Sequence, residues 1–342
     1  MLNKSQVRNI LGVLATGVLA SLASYGINQQ NQTVQAQAQP KIVASHNVIC
    51  DIIRTIAEDT VDLTCLIDGN SDPHSYRPTP SDRKAMESAD LILYGGYKLE
   101  PLLIQLIEAT ETTAPKIAIY EQVVKEPILS QHEHEEHEEH SEAEHSESES
   151  EHEEHSEAEP KAELEPDPHV WHNIENVVAA IELIRPILLQ INSAEAPRYL
   201  QNSTTYIDTL WQLDAWIDQQ IDTIPEGQRI LVTTHNSFNY YTQAYYLEDY
   251  KFLQGLSSDA VPTASQVRNL AAEIEQIGVP TIFAEARAND RVINNVARTA
   301  KVTLSPERLY ADGLGAAASY IEMMSHNTCA IVNGLEGTCQ EF

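Results

Sequence analysis

Short apolar segments alternate with helix-like segments in two stretches of the chain, and this alternation limits the possible folds more than any other feature. In the first stretch the sequence predicts strands at 41–45, 61–67, 91–94 and 116–120, with helices at 47–58, 81–88 and 99–108. In the second it predicts strands at 229–234, 250–256, 281–284 and 302–304, with helices at 236–246, 264–277 and 290–299 and a final helix through Met324. Alternation of this kind predicts βαβ units, and therefore an α/β fold of two lobes with mainly parallel sheets.

Two helical segments, 174–191 and 195–224, connect the stretches. The longer one carries apolar residues at spacings of three and four, which mark one packed face of a helix: Tyr206, Leu210, Leu213, Ile217, Ile221 and Ile224. At about 1.5 Å per residue this helix is long enough to brace two lobes rigidly. The predicted division is an N-terminal lobe at 39–194, a linking helix at 195–224 and a C-terminal lobe at 225–342.

The N-terminus has the layout of a cleavable export signal. Lys4 and Arg8 precede an apolar run at 10–23, and Ala36-Gln37-Ala38 offers a cleavage site. The apolar run is short for a membrane span, and no cysteine follows it to carry a lipid anchor. The sequence therefore predicts a signal peptide at 1–38 and a soluble mature protein in the periplasm, with a monomer as the expected state.

The four cysteines agree with an oxidising compartment. Cys50, Cys65, Cys329 and Cys339 allow three pairings, and their clustering favours Cys50 with Cys65 and Cys329 with Cys339. Buried free thiols are the alternative for either pair. A zinc thiolate site is not expected, because no two cysteines have the CxxC spacing.

A tract of glutamate, histidine and serine interrupts the first lobe. Residues 131–160 contain fourteen Glu, seven His and no Lys or Arg. Such a composition buries too little apolar surface to offset ordering entropy, so a disordered loop is expected across 126–166. Its imidazoles are candidates for weak, multiple metal binding: His132, His134, His137, His140, His145, His152 and His155. The formal net charge of −30 argues against a nucleic-acid partner and favours cations.

Candidate metal ligands cluster in short motifs. Asp72-Pro73-His74 and Asp167-Pro168-His169 both present an imidazole on a stiff turn, and the aspartate two residues earlier can orient it. Ligands of open α/β sheets gather at the carboxyl ends of strands, where His74, His235 and Glu285 are expected, and loops at His169 and Asp312 can reach the same face. Three imidazoles and the Asp312 carboxylate would complete a four-coordinate zinc shell, with Glu285 as an alternative ligand.

These motifs resemble the zinc/manganese substrate-binding proteins of metal ABC transporters, the ZnuA/TroA-like group. The resemblance rests on four runs in order, starting at Asp72-Pro73-His74-Ser75-Tyr76, Asp167-Pro168-His169-Val170-Trp171, Val232-Thr233-Thr234-His235-Asn236 and Tyr310-Ala311-Asp312-Gly313-Leu314. It implies two lobes, a rigid linking helix, a metal ion between the lobes and delivery of that ion to a membrane permease.

The same resemblance leaves the metal open between zinc and manganese. Manganese-type members tend to carry a carboxylate where this chain has His235, and imidazole-rich sites suit zinc. Zn²⁺ is therefore the expected transported ligand and Mn²⁺ the alternative, with iron also possible in this class. His46 and His172 are expected to be structural or to support the ligands from behind.

No catalysis is expected. An exported zinc hydrolase is the alternative from another class, with Glu285 as its one obvious base, but no nucleophile motif accompanies that residue. An adhesin role is known for relatives by family resemblance, and nothing in the sequence identifies a partner surface for it.

Overall fold

Four parallel strands form the sheet of the N-terminal half. The computed structural model describes residues 38–69, 71–131, 164–257, 262–287 and 290–342. The strands are β1 (Lys41–Ala44), β2 (Asp62–Cys65), β3 (Leu91–Tyr94) and β4 (Lys116–Ala118), in the order β2-β1-β3-β4. The helices are α1 (Asn47–Ala57), α2 (Pro80–Glu87), α3 (Pro101–Ala109) and α4 (Ile119–Val123). The strand order reverses between β1 and β3, and in open sheets this is where ligands bind.

Both faces of this sheet are covered. Ile42 and Ala44 of β1 pack into one apolar cluster, whereas Val43 between them packs into another. Successive side chains of a strand point to opposite faces, so helices lie on both sides, as the run of consecutive apolar residues predicts.

The middle of the chain forms a small strand pair and two long helices. Strands β5 (Leu129–Gln131) and β6 (Leu164–Pro166) are antiparallel, with Gln131 paired to Leu164. A 3-10 helix at Val170–His172 leads into α5 (Ile174–Ile191), and a second at Ser193–Glu195 leads into α6 (Ala196–Ile221).

Helix α6 packs against α1 and α5 and also against the last helix of the chain. The apolar stripe that the sequence predicts for it is buried from Tyr206 to Ile221.

The C-terminal half repeats the parallel arrangement with shorter strands. They are β7 (Ile230–His235), β8 (Asp249–Gln254), β9 (Thr281–Ile282) and β10 (Thr303–Leu304), where β7 pairs with β8 and β9 with β10. The helices are α7 (Asn239–Ala244), α8 (Ala264–Ile277), α9 (Asp290–Ala300) and α10 (Tyr320–Gly334). The two pairs are linked at 2.9 Å, where the Phe283 amide donates to the Val232 carbonyl. The predicted α/β class with parallel sheets and a long helix is confirmed.

The halves share their main core. Residues 39–342 form one compact unit, and the largest apolar cluster contains residues of β1 and α1 together with Leu231, Phe238 and Met323. A smaller cluster lies between β7, β8, β9, α8 and α9. The lobe boundaries at 194 and 224 stay predictions.

Both expected disulfides are present. Cys50 pairs with Cys65 and Cys329 with Cys339, and no cysteine among the described residues is free. The first bridge ties α1 to the end of β2, directly before the loop that carries His74. Closing its loop is worth about 3 kcal/mol in the chain-entropy model.

The structure differs from the sequence expectation in several places. Strand β4 ends at Ala118 and helix α4 begins at Ile119, where the sequence predicts a strand to residue 120. The ends of the loop expected to be disordered at 126–166 form the β5–β6 pair, while 132–163 lies outside the described residues. Helix α7 begins at Asn239 rather than 236, because the amides of Ser237 and Phe238 donate to the Tyr250 hydroxyl instead of entering a helix. Strand β9 ends at Ile282, two residues earlier than predicted.

The signal peptide predicted at 1–38 lies outside the described residues, apart from Ala38. In the described part of the chain, none of the helices combines the length and apolar character that crossing a bilayer requires.

One buried carboxyl predicts a pH dependence of stability. Glu100 is fully buried, and its Oε1 accepts hydrogen bonds from Ser45 Oγ at 2.6 Å and the Gly95 amide at 2.7 Å. Burial raises the pKa of Glu100 to about 7. Above about pH 4.5 the unfolded state has released the proton that the folded state still holds on Glu100. The contribution of this carboxyl to the free energy of unfolding is therefore fully present below about pH 4.5 and is lost as the pH rises through about 7.

We expect Glu100→Gln to remove this dependence, since glutamine is uncharged at every pH. The free energy of unfolding of the variant should exceed that of the wild type by up to about 3 kcal/mol above pH 7 and match it below about pH 4.5, as measured by denaturant titration across the range. The matched control is Glu87→Gln, at an exposed residue of α2. Parallel pH profiles for wild type and Glu100→Gln would contradict the prediction.

Candidate metal centre

Four of the predicted site residues converge on one point. His74 lies in the loop after β2, His169 directly before the 3-10 helix, His235 at the end of β7 and Asp312 in the loop before α10. One ligand atom from each lies within 4.8 Å of all the others. The sequence separates these residues by up to 238 positions, so only the fold brings them together.

The spacing of these atoms is close to that of a four-coordinate metal shell. Nε2 of His169 lies 3.2 Å from Nε2 of His74 and 3.4 Å from Nε2 of His235. Oδ1 of Asp312 lies 3.4, 3.5 and 3.2 Å from Nε2 of His74, His169 and His235. A tetrahedral shell with metal–ligand bonds of about 2.0–2.1 Å has ligand atoms about 3.3–3.4 Å apart.

Oδ1 of Asp312 is buried and has no hydrogen-bond partner among the described residues. A buried carboxylate oxygen without a donor is costly unless a cation compensates it. The donor set therefore fits a divalent ion bound between the four atoms.

Both Asp-Pro-His motifs form the same turn. The main-chain amide of His74 donates to Asp72 Oδ1 at 2.8 Å, and that of His169 donates to Asp167 Oδ1 at 2.9 Å. At the second motif the same oxygen also lies 2.8 Å from Nδ1 of His169. With its proton on Nδ1, the imidazole presents an unprotonated Nε2 to the centre, as a metal ligand must.

Glu285 holds His235 in the same way. Its Oε2 contacts Nδ1 of His235, and its Oε1 accepts the His235 main-chain amide at 2.9 Å. Glu285 does not belong to the group of four converging residues. The sequence offered Glu285 as an alternative ligand; in the structure its carboxylate contacts Nδ1 of His235, the nitrogen that faces away from the centre.

Proton affinities reflect this arrangement of charge. Burial acts to lower the pKa of His169 and His235, but Asp167, Glu285 and Asp312 outweigh it, so the pKa of His169 is raised and that of His235 is raised well above its usual range. Burial acts to raise the pKa of Asp312, yet the surrounding imidazoles hold it well below its usual range. A metal ion that binds here competes with protons and releases them.

Further polar side chains support the centre, and the sequence analysis missed two of them. Asn239 Nδ2 donates to Asp167 Oδ2 at 2.9 Å, and Asn47 Oδ1 accepts the Leu314 amide at 2.9 Å. The one available signal was position, since Asn47 follows the carboxyl end of β1. His46 and His172 are buried behind the centre, as expected, where burial lowers their pKa to about 4 and about 3.

A cavity of about 240 Å³ lies beside His74. Tyr97, Pro101, Pro166 and Leu256 are among its lining residues. Strand β6, which contributes Pro166, also resumes the described chain after residue 163. The auxiliary histidines from His132 to His155 themselves lie outside the described residues.

Known proteins share this chain's sequence and fold. The family described as "Zinc-uptake complex component A periplasmic" matches residues 42–334. The chain is 28% identical to the manganese-binding lipoprotein MntA of Halalkalibacterium halodurans over 86% of this chain and 88% of that protein. It is 25% identical to the metal ABC transporter substrate-binding lipoprotein SsaB of Streptococcus sanguinis over 95% and 98%.

Among solved structures, the chain is similar to the periplasmic zinc-binding protein TroA of Treponema pallidum. The TM-score is 0.72 at 26% identity, with coverage of 87% of this chain and 99% of that one. The fold therefore matches that of a periplasmic metal-binding protein along nearly its whole length.

The contact between Glu285 and His235 predicts how a substitution changes metal affinity. We expect Glu285→Gln to weaken binding of a divalent ion by about 10–100-fold, the usual effect of losing a partner that orients a ligand. His235→Ala should weaken it further, because it removes a candidate ligand atom. Calorimetric titration of the metal-free proteins measures both.

Glu307→Gln, at an exposed residue, is the control and should bind as the wild type does. Equal losses for Glu285→Gln and His235→Ala would contradict the expectation that Glu285 only orients His235.

Proposed function

This chain belongs to the zinc-uptake complex component A periplasmic family, and on that premise we propose that it is the high-affinity zinc receptor of an ABC-type uptake transporter. The coarser statement, that it is a metal-binding receptor of such a transporter, follows from the family and its relatives. In the proposal, His74, His169, His235 and Asp312 bind one Zn²⁺ as cargo, and the receptor delivers it to the membrane permease.

The observation that carries the zinc assignment is the donor set with its spacing. The Asp312 oxygen lies 3.2–3.5 Å from all three imidazole nitrogens, and His169 Nε2 lies 3.2 and 3.4 Å from the other two, which is about one tetrahedral edge for these five pairs. Imidazole suits zinc, whereas manganese is better served by carboxylates and water, and the order of divalent-metal affinities places zinc above manganese for the same ligands.

A manganese receptor is the second candidate, because MntA of Halalkalibacterium halodurans is a manganese-binding lipoprotein. Manganese prefers carboxylate and water ligands, whereas imidazole suits zinc. Only one of the four converging groups is a carboxylate, and this favours zinc.

An exported hydrolase is disfavoured for a structural reason. Its candidate general base, Glu285, has both carboxylate oxygens engaged by His235. The relatives named above are binding proteins, and the proposed receptor performs no catalysis.

Export by the N-terminal signal peptide into the periplasm is also part of the proposal. The named bacterial relatives include lipoproteins, yet the first cysteine of this chain is Cys50, which is buried in α1. The acidic net charge favours the approach of cations, and a monomer stays the expected state.

Calorimetric titration of the metal-free chain with Zn²⁺ and Mn²⁺ tests this function. We expect one tight zinc site and much weaker manganese binding. In His235→Ala the zinc affinity should fall further than the roughly 10–100-fold that is typical when a residue that orients a ligand is lost. Manganese binding as tight as zinc would contradict the zinc assignment.

The His/Glu tract can be removed cleanly for a second titration. Gln131 and Leu164 are directly paired at the end of the β5–β6 ladder, so an Asn-Gly turn in place of residues 132–163 closes a two-residue hairpin. The shortened chain should keep the tight site and lose the weak additional zinc sites. Loss of all zinc binding with the tract would contradict the assignment of the four converging residues.

A further inference from the structure

Three buried side chains of the N-terminal half hold the main chain around Asp312. Nε2 of His172 lies 2.9 Å from the Ala311 carbonyl oxygen, and Nε2 of His46 lies 3.2 Å from that of Asp312. Oδ1 of Asn47 accepts the Leu314 amide at 2.9 Å. Residues 311–314, here called the Asp312 loop, are thus bonded at three of four consecutive positions.

Each of these side chains is itself fixed. Nδ1 of His46 accepts from the Tyr120 hydroxyl at 2.7 Å, which leaves the proton on Nε2 to be donated to the Asp312 carbonyl. The ring of His172 stacks on Phe238 with centroids 4.4 Å apart. Asn47 also donates from Nδ2 to the Asp68 carbonyl at 3.3 Å.

The loop has no space in which to shift towards these partners. Gly313 has a φ of 128°, a conformation that other residues rarely adopt, and a Cβ there would lie 2.4 Å from Oδ1 of Asn47. The main chain of the Asp312 loop therefore rests directly against the side chain that holds it.

We propose that His46, Asn47 and His172 are positioning residues that set the metal selectivity of the centre by fixing the Asp312 loop. The inference rests on the proposed function, because it concerns the same four ligands. Held in this way, Asp312 presents Oδ1 at 3.2–3.5 Å from the three Nε2 atoms, which is the spacing of a tetrahedral ion.

The physical basis is the different number of ligands that the two metals need. An ion that prefers six oxygen-rich ligands requires a second carboxylate oxygen or added water, and so requires the carboxylate to rotate or retreat. Hydrogen bonds to the carbonyl oxygens of Ala311 and of Asp312 itself oppose a retreat of the main chain that carries the carboxylate. Loosening the loop should therefore cost zinc more affinity than manganese.

The test uses the full chain with substitutions at the two histidines. His172→Phe keeps the ring stack on Phe238 and removes the donor to Ala311, and His46→Phe removes the donor to Asp312. His46→Gln and His172→Gln keep an N–H donor and serve as the conservative counterparts. Tyr241→Phe is the matched control, since it removes a buried hydrogen bond to Thr328 that does not involve the Asp312 loop.

Zinc and manganese affinities are measured for each protein by competition titration, and the visible absorption of bound Co²⁺ reports coordination geometry. We expect the Phe variants to lose zinc affinity by about 10–100-fold, to lose manganese affinity less, and to show the weaker Co²⁺ bands of a higher coordination number. The Gln variants should recover the zinc preference. Tyr241→Phe should keep the wild-type ratio and spectrum.

If the wild type binds zinc tightly but the Phe variants keep its ratio of zinc to manganese affinity, whether or not both affinities fall, this inference alone is overturned. A wild-type chain with no tight site would overturn the proposed function as well. Thermal unfolding of the metal-free proteins checks folding, and His172→Phe, which keeps the ring stack on Phe238, supplies the test should His46→Phe fail to fold.

Discussion

The carboxylate of Asp312 is buried, and burial of a charge costs several kcal/mol of hydration free energy unless opposite charge replaces the water. Much of the polar structure around it can be understood from this one requirement. Three imidazoles surround Oδ1, and two of them are backed by carboxylates of their own, from Asp167 and Glu285. The result is a compact set of alternating charges that a divalent cation completes and that protons occupy in its place.

The hydrogen bonds that hold the Asp312 loop come from the other half of the chain. Asp312 belongs by sequence to the C-terminal half, yet its loop is bonded to His46, Asn47 and His172 of the N-terminal half. His235, in contrast, ends β7 and Glu285 follows β9, and both strands contribute to the smaller apolar cluster. Strand β7 contributes Leu231 to the main apolar cluster and Val232 to the smaller one, so the position of His235 depends on both.

Much of the fold and of the site could be predicted from the sequence, because local apolar periodicity indicates the helices and strands and short motifs indicate the turns that carry ligands. Helix α5 has the predicted bounds, and the Asp-Pro-His turns place His74 and His169 as expected. Contacts between distant segments could not be predicted in this way. The hydrogen bond between Asn47 and Leu314 spans 267 positions. Likewise, no local pattern indicates that Glu285 contacts Nδ1 of His235.

Strands β5 and β6 escaped prediction for a related reason. Leu129 and Leu164 are exposed and stand at the edges of a polar tract, so neither has the buried alternation that marks a strand. Their pairing is visible only when the segments meet, and the Asp167 amide then donates to the Ile128 carbonyl at 2.8 Å. The strand pair is thereby attached to the residue that orients His169.

That strand pair also has a consequence for how the chain can vary. Gln131 and Leu164, which flank segment 132–163, are directly paired, so the described fold sets no distance that the segment must span. The entropy of closing a loop rises only with the logarithm of its length, by about 0.6 kcal/mol for each doubling. Insertions and deletions in this segment should therefore change the free energy of folding very little. Its length can vary without a cost to the fold that surrounds it.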